Sequence, residues 1–194
     1  MPQTITVEEY HSMIKHGIIP DDATIELLNG CLYMKDRSVI GGDPARHSPL
    51  HSCAIGCLTG LARRIDNRFR HLQTQLPVTI SPNSEPEPDA AIIRGQPREY
   101  SDHVPTSRDA LCIIEAAHSS LDHDRSVKLR LYAAGRIPQY IIVNLQANCV
   151  EIYSDPDTAS GTYRTKATAN RDEALRLNLG DGEFLEITAD ELLP

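Results

Sequence analysis

Tryptophan is absent from the sequence, and phenylalanine occurs only twice among its 194 residues. A hydrophobic core must therefore be built from Leu, Ile, Val and Ala. A domain of this length buries about 70% of the surface that its unfolded chain exposes, so disulfides and structural metals are not needed to stabilise it. We interpret residues 1–194 as a single domain.

Long hydrophobic runs are absent as well, because the apolar stretches are short pieces such as Leu111–Ile114. A membrane span needs roughly 20 apolar residues. Near the N-terminus, Glu8 and Glu9 stand where a signal peptide has basic and then apolar residues. We therefore expect a cytoplasmic protein that does not contact a membrane.

Positive charge is in deficit, since 19 Lys and Arg are outnumbered by 27 Asp and Glu and the formal net charge is −8. Proteins that coat nucleic acid without specificity need a basic surface, and helices that bind a membrane surface are rich in Lys and Arg. The net charge taken alone therefore argues against both classes of protein.

The five cysteines form no C-x-x-C pair, and their number is odd. We interpret them as reduced, buried thiols and not as a disulfide framework. Cys53 and Cys57 lie one helical turn apart, and with His47 and His51 they could be drawn as a zinc site. We favour the alternative, in which the two cysteines belong to a small-residue helix face that packs inward.

Hydrophobic periodicity predicts an α+β domain with a mixed central sheet. A capping box at Thr6–Glu9 begins a helix that ends near Lys15, and Asn29-Gly30 joins two short strands. Apolar residues at helical spacing predict a second helix over residues 51–68, followed by an extended segment over residues 71–81 that is interrupted at Pro77.

In the second half, three apolar strands are predicted over residues 90–93, 111–114 and 140–143, with a helix over residues 124–134 between the last two. A strand, helix and strand with near-continuous apolar runs indicate a buried crossover and a parallel strand pair. Four further strands with a more alternating pattern follow.

Acidic residues stand at the ends of these apolar strands. Asp89 follows a proline-rich acidic turn and precedes a strand, Glu115 ends the next strand, and Glu26 opens an early one. If the strands around Asp89 and Glu115 are neighbours, the two carboxylates converge and repel each other unless a divalent cation lies between them. Hard oxygen ligands of this kind suit Mg²⁺ or Mn²⁺.

Lys128 lies on the helix after Glu115, with Asp124 and Tyr132 at i−4 and i+4 on the same helical face. A lysine beside a carboxylate-bound metal could orient a water or stabilise charge on a phosphate. Each of these residues, taken alone, could instead have a structural role. Glu115 could pair with Arg125, Asp124 and Lys128 could form a surface pair, and Asp89 could be an exposed residue at the start of a strand.

In order along the chain, these motifs resemble the Uma-two family, bacterial restriction-endonuclease-like proteins of the PD-(D/E)XK nuclease superfamily. The resemblance spans roughly residues 5 to 190. The segments that carry it are Glu26-Leu-Leu-Asn-Gly30, His51 at a helix start, Ser84-Glu-Pro-Glu-Pro-Asp89, Ile114-Glu115, and Asp124-Arg-x-x-Lys128-x-x-x-Tyr132-Ala-x-x-Gly135-Ile-Pro-x-Tyr140.

The resemblance implies a restriction-endonuclease-like core, in which helices flank a mixed sheet and a metal binds at the strand ends. It places Asp89 in the "PD" of the superfamily motif, Glu115 at its second acid, and Glu26 at its early acidic position. Mg²⁺ or Mn²⁺ would be held by Asp89 and Glu115 with a strand carbonyl such as that of Ala116. The implied activity is metal-dependent hydrolysis of DNA phosphodiester bonds.

One departure from the superfamily motif concerns its lysine. That residue usually follows the second acid by two positions, where this sequence has Ala117. We take Lys128 as the migrated substitute. Gln75, His51 and Asp124 are auxiliary candidates, since Gln75 and His51 could approach the metal-bound water and Asp124 shares the helical face of Lys128. For His51, a capping or packing role is the alternative.

A catalytically degenerate nuclease fold that binds nucleic acid or protein is the main alternative function. An unrelated small-molecule hydrolase and a purely structural protein are others. No DNA-reading module is recognisable, so any specificity would come from arginine-bearing loops such as residues 36–50 and 95–109. A homodimer is expected by analogy with superfamily nucleases that cut both strands. Local basic residues at the end of the second helix, and a bound cation, weaken the argument from net charge.

Overall fold

The computed structural model describes residues 4–20, 23–34 and 49–194. Most of the predicted loop 36–50, with His47 of the drawn zinc site, lies outside the described residues. The helices are α1 (Val7–Lys15), α2 (Pro49–Gly60), α3 (Ala62–Ile65), α4 (Leu121–His123) and α5 (Leu129–Ala134), with a π-helical turn (Asp124–Lys128) between α4 and α5 and short 3-10 helices at Pro97–Tyr100 and Ala189–Glu191.

Ten strands are present in the described ranges: β1 (Ile25–Leu28), β2 (Cys31–Met34), β3 (Arg70–Thr74), β4 (Ala90–Arg94), β5 (Ala110–Ala117), β6 (Gln139–Asn144), β7 (Cys149–Asp157), β8 (Thr162–Asn170), β9 (Ala174–Gly180) and β10 (Glu183–Thr188). Six of them form the central sheet in the order β3-β4-β5-β6-β7-β8, while β1–β2 and β9–β10 are hairpins. Only the β5–β6 pair of the central sheet is parallel. The predicted mixed sheet in an α+β fold is confirmed.

The parallel pair lies at the centre of the sheet and is covered on both faces. All residues of β5 and β6 are buried, which explains their near-continuous apolar sequences. One face packs against α2, α3 and the β9–β10 hairpin. The other face packs against the helix that runs from α4 to α5, so the chain segment between β5 and β6 is the predicted crossover helix.

The N-terminal part follows local sequence signals closely. Thr6 and Glu9 form the predicted capping box at the start of α1. Asn29 and Gly30 have φ angles of 51° and 75°, as a two-residue hairpin turn with positive φ at both positions requires. The Tyr10 hydroxyl donates a hydrogen bond to the Ile25 carbonyl at 2.8 Å and joins α1 to this hairpin.

Several predicted boundaries differ from the structure. The strand predicted over residues 111–114 extends to Ala117 as β5, so Glu115 lies within the strand and not at its end. The helix expected over residues 51–68 is interrupted at Leu61 and ends at Ile65. The extended segment expected over residues 71–81 leaves the sheet after Thr74, before the interruption predicted at Pro77, because Gln75 adopts a left-handed φ of 53°. A glutamine rarely adopts this conformation outside a turn, so its residue type does not predict the position of the break.

The interpretation of the cysteines was partly wrong. Cys112 and Cys149 are buried as expected, but Cys31 and Cys53 are exposed. The inward face of α2 is formed by Ala54 and Leu58 instead, which pack in the core, while Cys57 is half-buried. None of the helices in residues 4–20, 23–34 and 49–194 is long and apolar enough to cross a membrane.

Candidate active site

Asp89 and Glu115 meet at one end of the central sheet. β4 and β5 are antiparallel, with Ala90 paired to Ile114, so the residue that precedes β4 lies beside the residue that follows Ile114. The Asp89 carboxylate accepts a hydrogen bond from the Ala116 amide through Oδ2 at 2.8 Å. The backbone of β5 thus holds Asp89 next to Glu115, and the predicted convergence of the two acids is present in the geometry.

Glu115 projects from β5 towards the crossover helix. Its Oε1 lies 2.9 Å from Lys128 Nζ and accepts a hydrogen bond of 2.8 Å from the Tyr132 hydroxyl. Glu115, Lys128 and Tyr132 are all buried. The alternative in which Glu115 pairs with Arg125 is wrong, because Arg125 points to the next acidic side chain along the sheet, Glu151.

Lys128 contacts two carboxylates and not one. Besides Glu115, its Nζ lies 3.2 Å from Glu26 Oε1, while Glu26 Oε2 accepts a hydrogen bond from the Glu87 amide at 3.2 Å. Glu26 therefore connects the acidic turn before Asp89 to the crossover helix. Lys128 thus reaches Glu115 from the crossover helix, while the position two residues after Glu115 on β5 is Ala117.

Asp124 is the fourth acid of the site, and it lies buried at the start of the π-helical turn. The Ser120 hydroxyl donates a hydrogen bond of 2.7 Å to Asp124 Oδ2. Asp124 and Lys128 are 2% and 5% exposed, so the alternative of an ordinary surface pair is wrong. Single π-helical turns inside α-helices are rare and frequently occur at functional sites.

His51 reaches the same end of the sheet from α2. Its Nε2 lies 3.2 Å from Asp89 Oδ1, and its Nδ1 lies 3.0 Å from the Ala116 carbonyl oxygen. Gln75 approaches from β3 through its backbone, since its amide donates a hydrogen bond to the Asp89 carbonyl at 3.2 Å. The structure thus brings His51, Gln75 and Asp124 around the two acids, and the side chain of His51 is directed at the site.

The pKa values of the acids reflect burial first and neighbouring charges second. Burial raises the pKa of Glu115 to about 8, with Asp124, Asp89 and Glu26 adding to the effect and Lys128 opposing it. Burial also raises the pKa of Asp124. Asp89 differs, because the hydrogen bond and charge of His51 outweigh burial and lower its pKa. Desolvation and the nearby acids thus both disfavour the ionised form of Glu115.

The acids of the site favour the charged forms of its two basic side chains. Burial opposes the charged form of Lys128, but the charges of Glu115, Glu26 and Asp124 outweigh it and place its pKa well above the usual value. Burial likewise opposes the charged form of His51, and Asp89 outweighs it, so the pKa of His51 is raised. Lys128 is therefore a fixed cation and not a general base.

The donor set suits a hard divalent cation. Four acids surround one lysine and one histidine, so an excess of two negative charges is present when all four carboxylates are ionised and His51 is protonated. Asp89, Glu115 and the Ala116 carbonyl supply oxygen atoms of the kind that Mg²⁺ prefers. His51 contacts two of these oxygens, so an ion would have to share or displace it. Within the described residues, no three His, Cys, Asp or Glu side chains form a ready metal-binding group.

Tyr132 is the residue of the site to which the sequence argument assigned no function. Its position four residues after Lys128 was the available signal, since residues at that spacing share a helical face. Ser120 was missed altogether, because nothing in a serine before a helix indicates that its partner is a buried acid.

Comparison with known proteins agrees with this architecture. The Uma2 family model, described as "Putative restriction endonuclease", matches residues 7–185. The crystal structure of "a putative nuclease belonging to DUF820" from Anabaena variabilis is similar to this chain with a TM-score of 0.68, at 13% identity and with 97% of each chain covered. At that identity the likeness shows the fold alone. None of the curated proteins matches the chain. Because the family model covers most of the sequence, the chain belongs to the Uma2 family of restriction-endonuclease-like proteins, as the motifs predicted.

Proposed function

We propose that the protein is a metal-dependent nuclease that hydrolyses phosphodiester bonds of DNA. The observation that carries this proposal is the group of four acids around Lys128, of which Glu26, Glu115 and Asp124 are buried and Asp89 is 13% exposed. A structural cluster would pair each acid with its own donors, because an uncompensated buried charge is costly. A cation-binding site leaves negative charge in excess.

Asp89, Glu115 and the Ala116 carbonyl would hold Mg²⁺ or Mn²⁺. A divalent ion bound there supplies a water of lowered pKa and polarises the phosphate. The amide of Ala116 orients the Asp89 carboxylate through its 2.8 Å hydrogen bond. The ion would also stabilise the ionised form of Glu115, whose pKa is raised to about 8 by burial and by neighbouring acids.

Lys128 supplies fixed positive charge beside the reacting phosphate. Its ammonium group is buried and held by Glu115 and Glu26 at 2.9 and 3.2 Å. A desolvated cation that needs no reorganisation stabilises charge that develops in a transition state. Glu26 keeps Lys128 in place, and it is the residue that we assign to a water-mediated contact with the ion.

His51, Gln75 and Asp124 have auxiliary roles in this proposal. In the described geometry, His51 Nδ1 lies 3.0 Å from the Ala116 carbonyl oxygen and its Nε2 lies 3.2 Å from Asp89 Oδ1, and a phosphate or the attacking water would accept a hydrogen bond from a protonated His51 once the ion is bound. Gln75 borders the same space next to Asp89. Asp124 adds negative charge that keeps Lys128 protonated.

Surface charge near the second helix supports only modest affinity for DNA. The sequence suggested a basic region of four arginines there, but Arg64 and Arg70 pair with Glu191 and Glu183. Arg63 and Arg68 stay exposed. Binding would therefore depend on the metal and on a local face, and it would weaken as salt is added.

The experiment that tests the proposal is cleavage of supercoiled plasmid DNA with Mg²⁺ or Mn²⁺. We expect wild type to cut and Asp89→Ala to lose at least about 100-fold in rate, because a metal ligand is removed. Asp172→Ala is the matched control, since Asp172 is an exposed acid in the turn before β9. Single-stranded DNA and RNA are included as substrates.

Equal cleavage by wild type and Asp89→Ala, or cleavage of no substrate by either, would contradict the assignment. The second candidate is a nuclease fold that binds without cutting, which the displaced lysine and the contacts of His51 with two expected ligand oxygens favour. Isothermal titration with Mn²⁺ separates the two, because a site without metal uptake cannot perform this reaction. The homodimer stays a prediction, which sedimentation velocity measures directly.

A further inference from the structure

We infer that Tyr132 is a positioning residue for the metal ligand Glu115. Its hydroxyl and the ammonium of Lys128 hold one carboxylate oxygen of Glu115, so that the other oxygen is presented to the cation. The inference rests on the proposed function and assigns a role within the same site. Tyr132 acts through Glu115 and does not itself touch the ion or the substrate.

The two donors converge on a single atom. The Tyr132 hydroxyl lies 2.8 Å and Lys128 Nζ lies 2.9 Å from Glu115 Oε1. In the part of the chain that the structure describes, Glu115 Oε2 accepts no hydrogen bond. A carboxylate that accepts two hydrogen bonds on one oxygen and none on the other is oriented to bind an ion through the second oxygen.

Spacing along the helix explains why these two side chains act together. Lys128 ends the π-helical turn and Tyr132 lies four residues later on α5. Side chains at that separation stand one above the other on the same face. One helical face therefore delivers a charged and a neutral donor to the same oxygen of a residue on β5.

Packing keeps the phenol in this position. Tyr132 is fully buried, and its ring centroid lies 4.9 Å from that of Tyr140. Burial raises the pKa of Tyr132 well above its usual value, and the neighbouring charge of Glu115 adds to this. The hydroxyl thus keeps its proton and remains a donor. Lysine is a flexible point charge, whereas the tyrosine ring fixes the direction of its bond.

The test is Mn²⁺ affinity by isothermal titration of the full chain, with no nucleic acid present. We expect Tyr132→Phe to bind Mn²⁺ about 10- to 100-fold more weakly than wild type, which is the usual effect of removing a residue that orients a metal ligand. The Mg²⁺ concentration that gives half-maximal plasmid cleavage should rise by a similar factor. A merely structural role would leave both quantities unchanged once the variant is folded.

Tyr163→Phe is the matched control. Its hydroxyl donates a hydrogen bond of 3.0 Å to the Ile137 carbonyl, and its ring lies in the same tyrosine cluster, 6.4 Å from Tyr140. It loses a partly buried hydroxyl without touching Glu115, so its Mn²⁺ affinity should stay within twofold of wild type. Thermal unfolding without metal verifies that both variants are folded. Tyr132→Met, which also lacks the hydroxyl, replaces Tyr132→Phe if the latter does not fold.

Wild-type affinity in a folded Tyr132→Phe or Tyr132→Met would overturn the inference while the proposed function stands. An equal loss of affinity in Tyr163→Phe would overturn it too, since the effect would then come from the tyrosine cluster in general. Absence of Mn²⁺ uptake by wild type would instead overturn the proposed function itself, together with the role of Tyr132.

Discussion

Glu115 and Glu151 are two buried acids on the same face of one sheet, and they differ in almost every other respect. Both pair in register with Ile142 of β6, Glu115 from β5 and Glu151 from β7. The same helical segment sends Lys128 to the first and Arg125 to the second. The two sites therefore share backbone geometry, burial and a cationic partner.

The two carboxylates differ in the hydrogen-bond donors that surround them. Glu151 accepts hydrogen bonds from Arg125 on both oxygens, from Asn144 at 3.0 Å and from the Tyr153 hydroxyl at 2.7 Å, and it lies 3.1 Å from Lys166 Nζ. Burial favours its neutral form, but these partners, Arg125 first, lower its pKa to about 2. A fully satisfied carboxylate of this kind stabilises the sheet.

Glu115 has donors on one oxygen and acids for neighbours. Its pKa of about 8, raised first by burial, lies some six units above that of Glu151 on the same face. Burial alone therefore does not distinguish an acid that stabilises the fold from an acid that we propose as a metal ligand. The balance between donors and competing acids around each carboxylate distinguishes the two.

Glu115→Gln is expected to have the largest functional effect. Loss of a ligand charge should lower Mn²⁺ affinity and the cleavage rate at least about 100-fold. Stability should change by less than about 1 kcal/mol, because a carboxyl with a pKa near 8 is largely protonated at pH 7. Titration with Mn²⁺ and urea unfolding measure the two effects, and a loss of stability without a loss of affinity would reverse the roles of Glu115 and Glu151.

Glu151→Gln should show the opposite pattern, with a large, pH-dependent loss in the free energy of unfolding. The pKa of Glu151 is lowered in the folded state from 4.5 to about 2, so its stabilising effect is complete above the unfolded pKa and is lost as pH falls from about 5 to 2. We expect Glu151→Gln to be roughly 3 kcal/mol less stable than wild type at pH 7. The two proteins should converge near pH 2 in urea unfolding, and a difference that is constant with pH would rule out this account. Mn²⁺ affinity should be unchanged.

Lys166→Ala is expected to have the smallest effect. Lys166 is half exposed, while Arg125, Asn144 and Tyr153 already satisfy Glu151. An exposed ion pair contributes only about 0.2–1 kcal/mol, so the free energy of unfolding should fall by about 0.5 kcal/mol. Chemical denaturation of wild type and variant at low and high salt provides the measurement. A loss comparable to that of Glu151→Gln would show that Lys166 is a principal partner.

Much of the fold could be predicted because its signals are local. The capping box at Thr6, the Asn29-Gly30 turn and the apolar runs of β4, β5 and β6 each depend on residues close in sequence. The features that were predicted wrongly depend on an uncommon backbone conformation or on tertiary packing. The break at Gln75 is a backbone conformation for which glutamine has no special preference, and the exposure of Cys53 was decided by which side of α2 the core covers.

The sequence by itself determined which side chains were available at the candidate site. They are the acids Asp89 and Glu115 at the predicted strand ends, Lys128 and Asp124 on one helical face, and the early acid Glu26. Tertiary structure decided which of them became partners. Lys128 reaches Glu115 while Arg125, three residues earlier, reaches Glu151. That choice depends on the register of β5, β6 and β7 under the crossover helix, and contacts between distant segments are not encoded in the spacing of nearby residues.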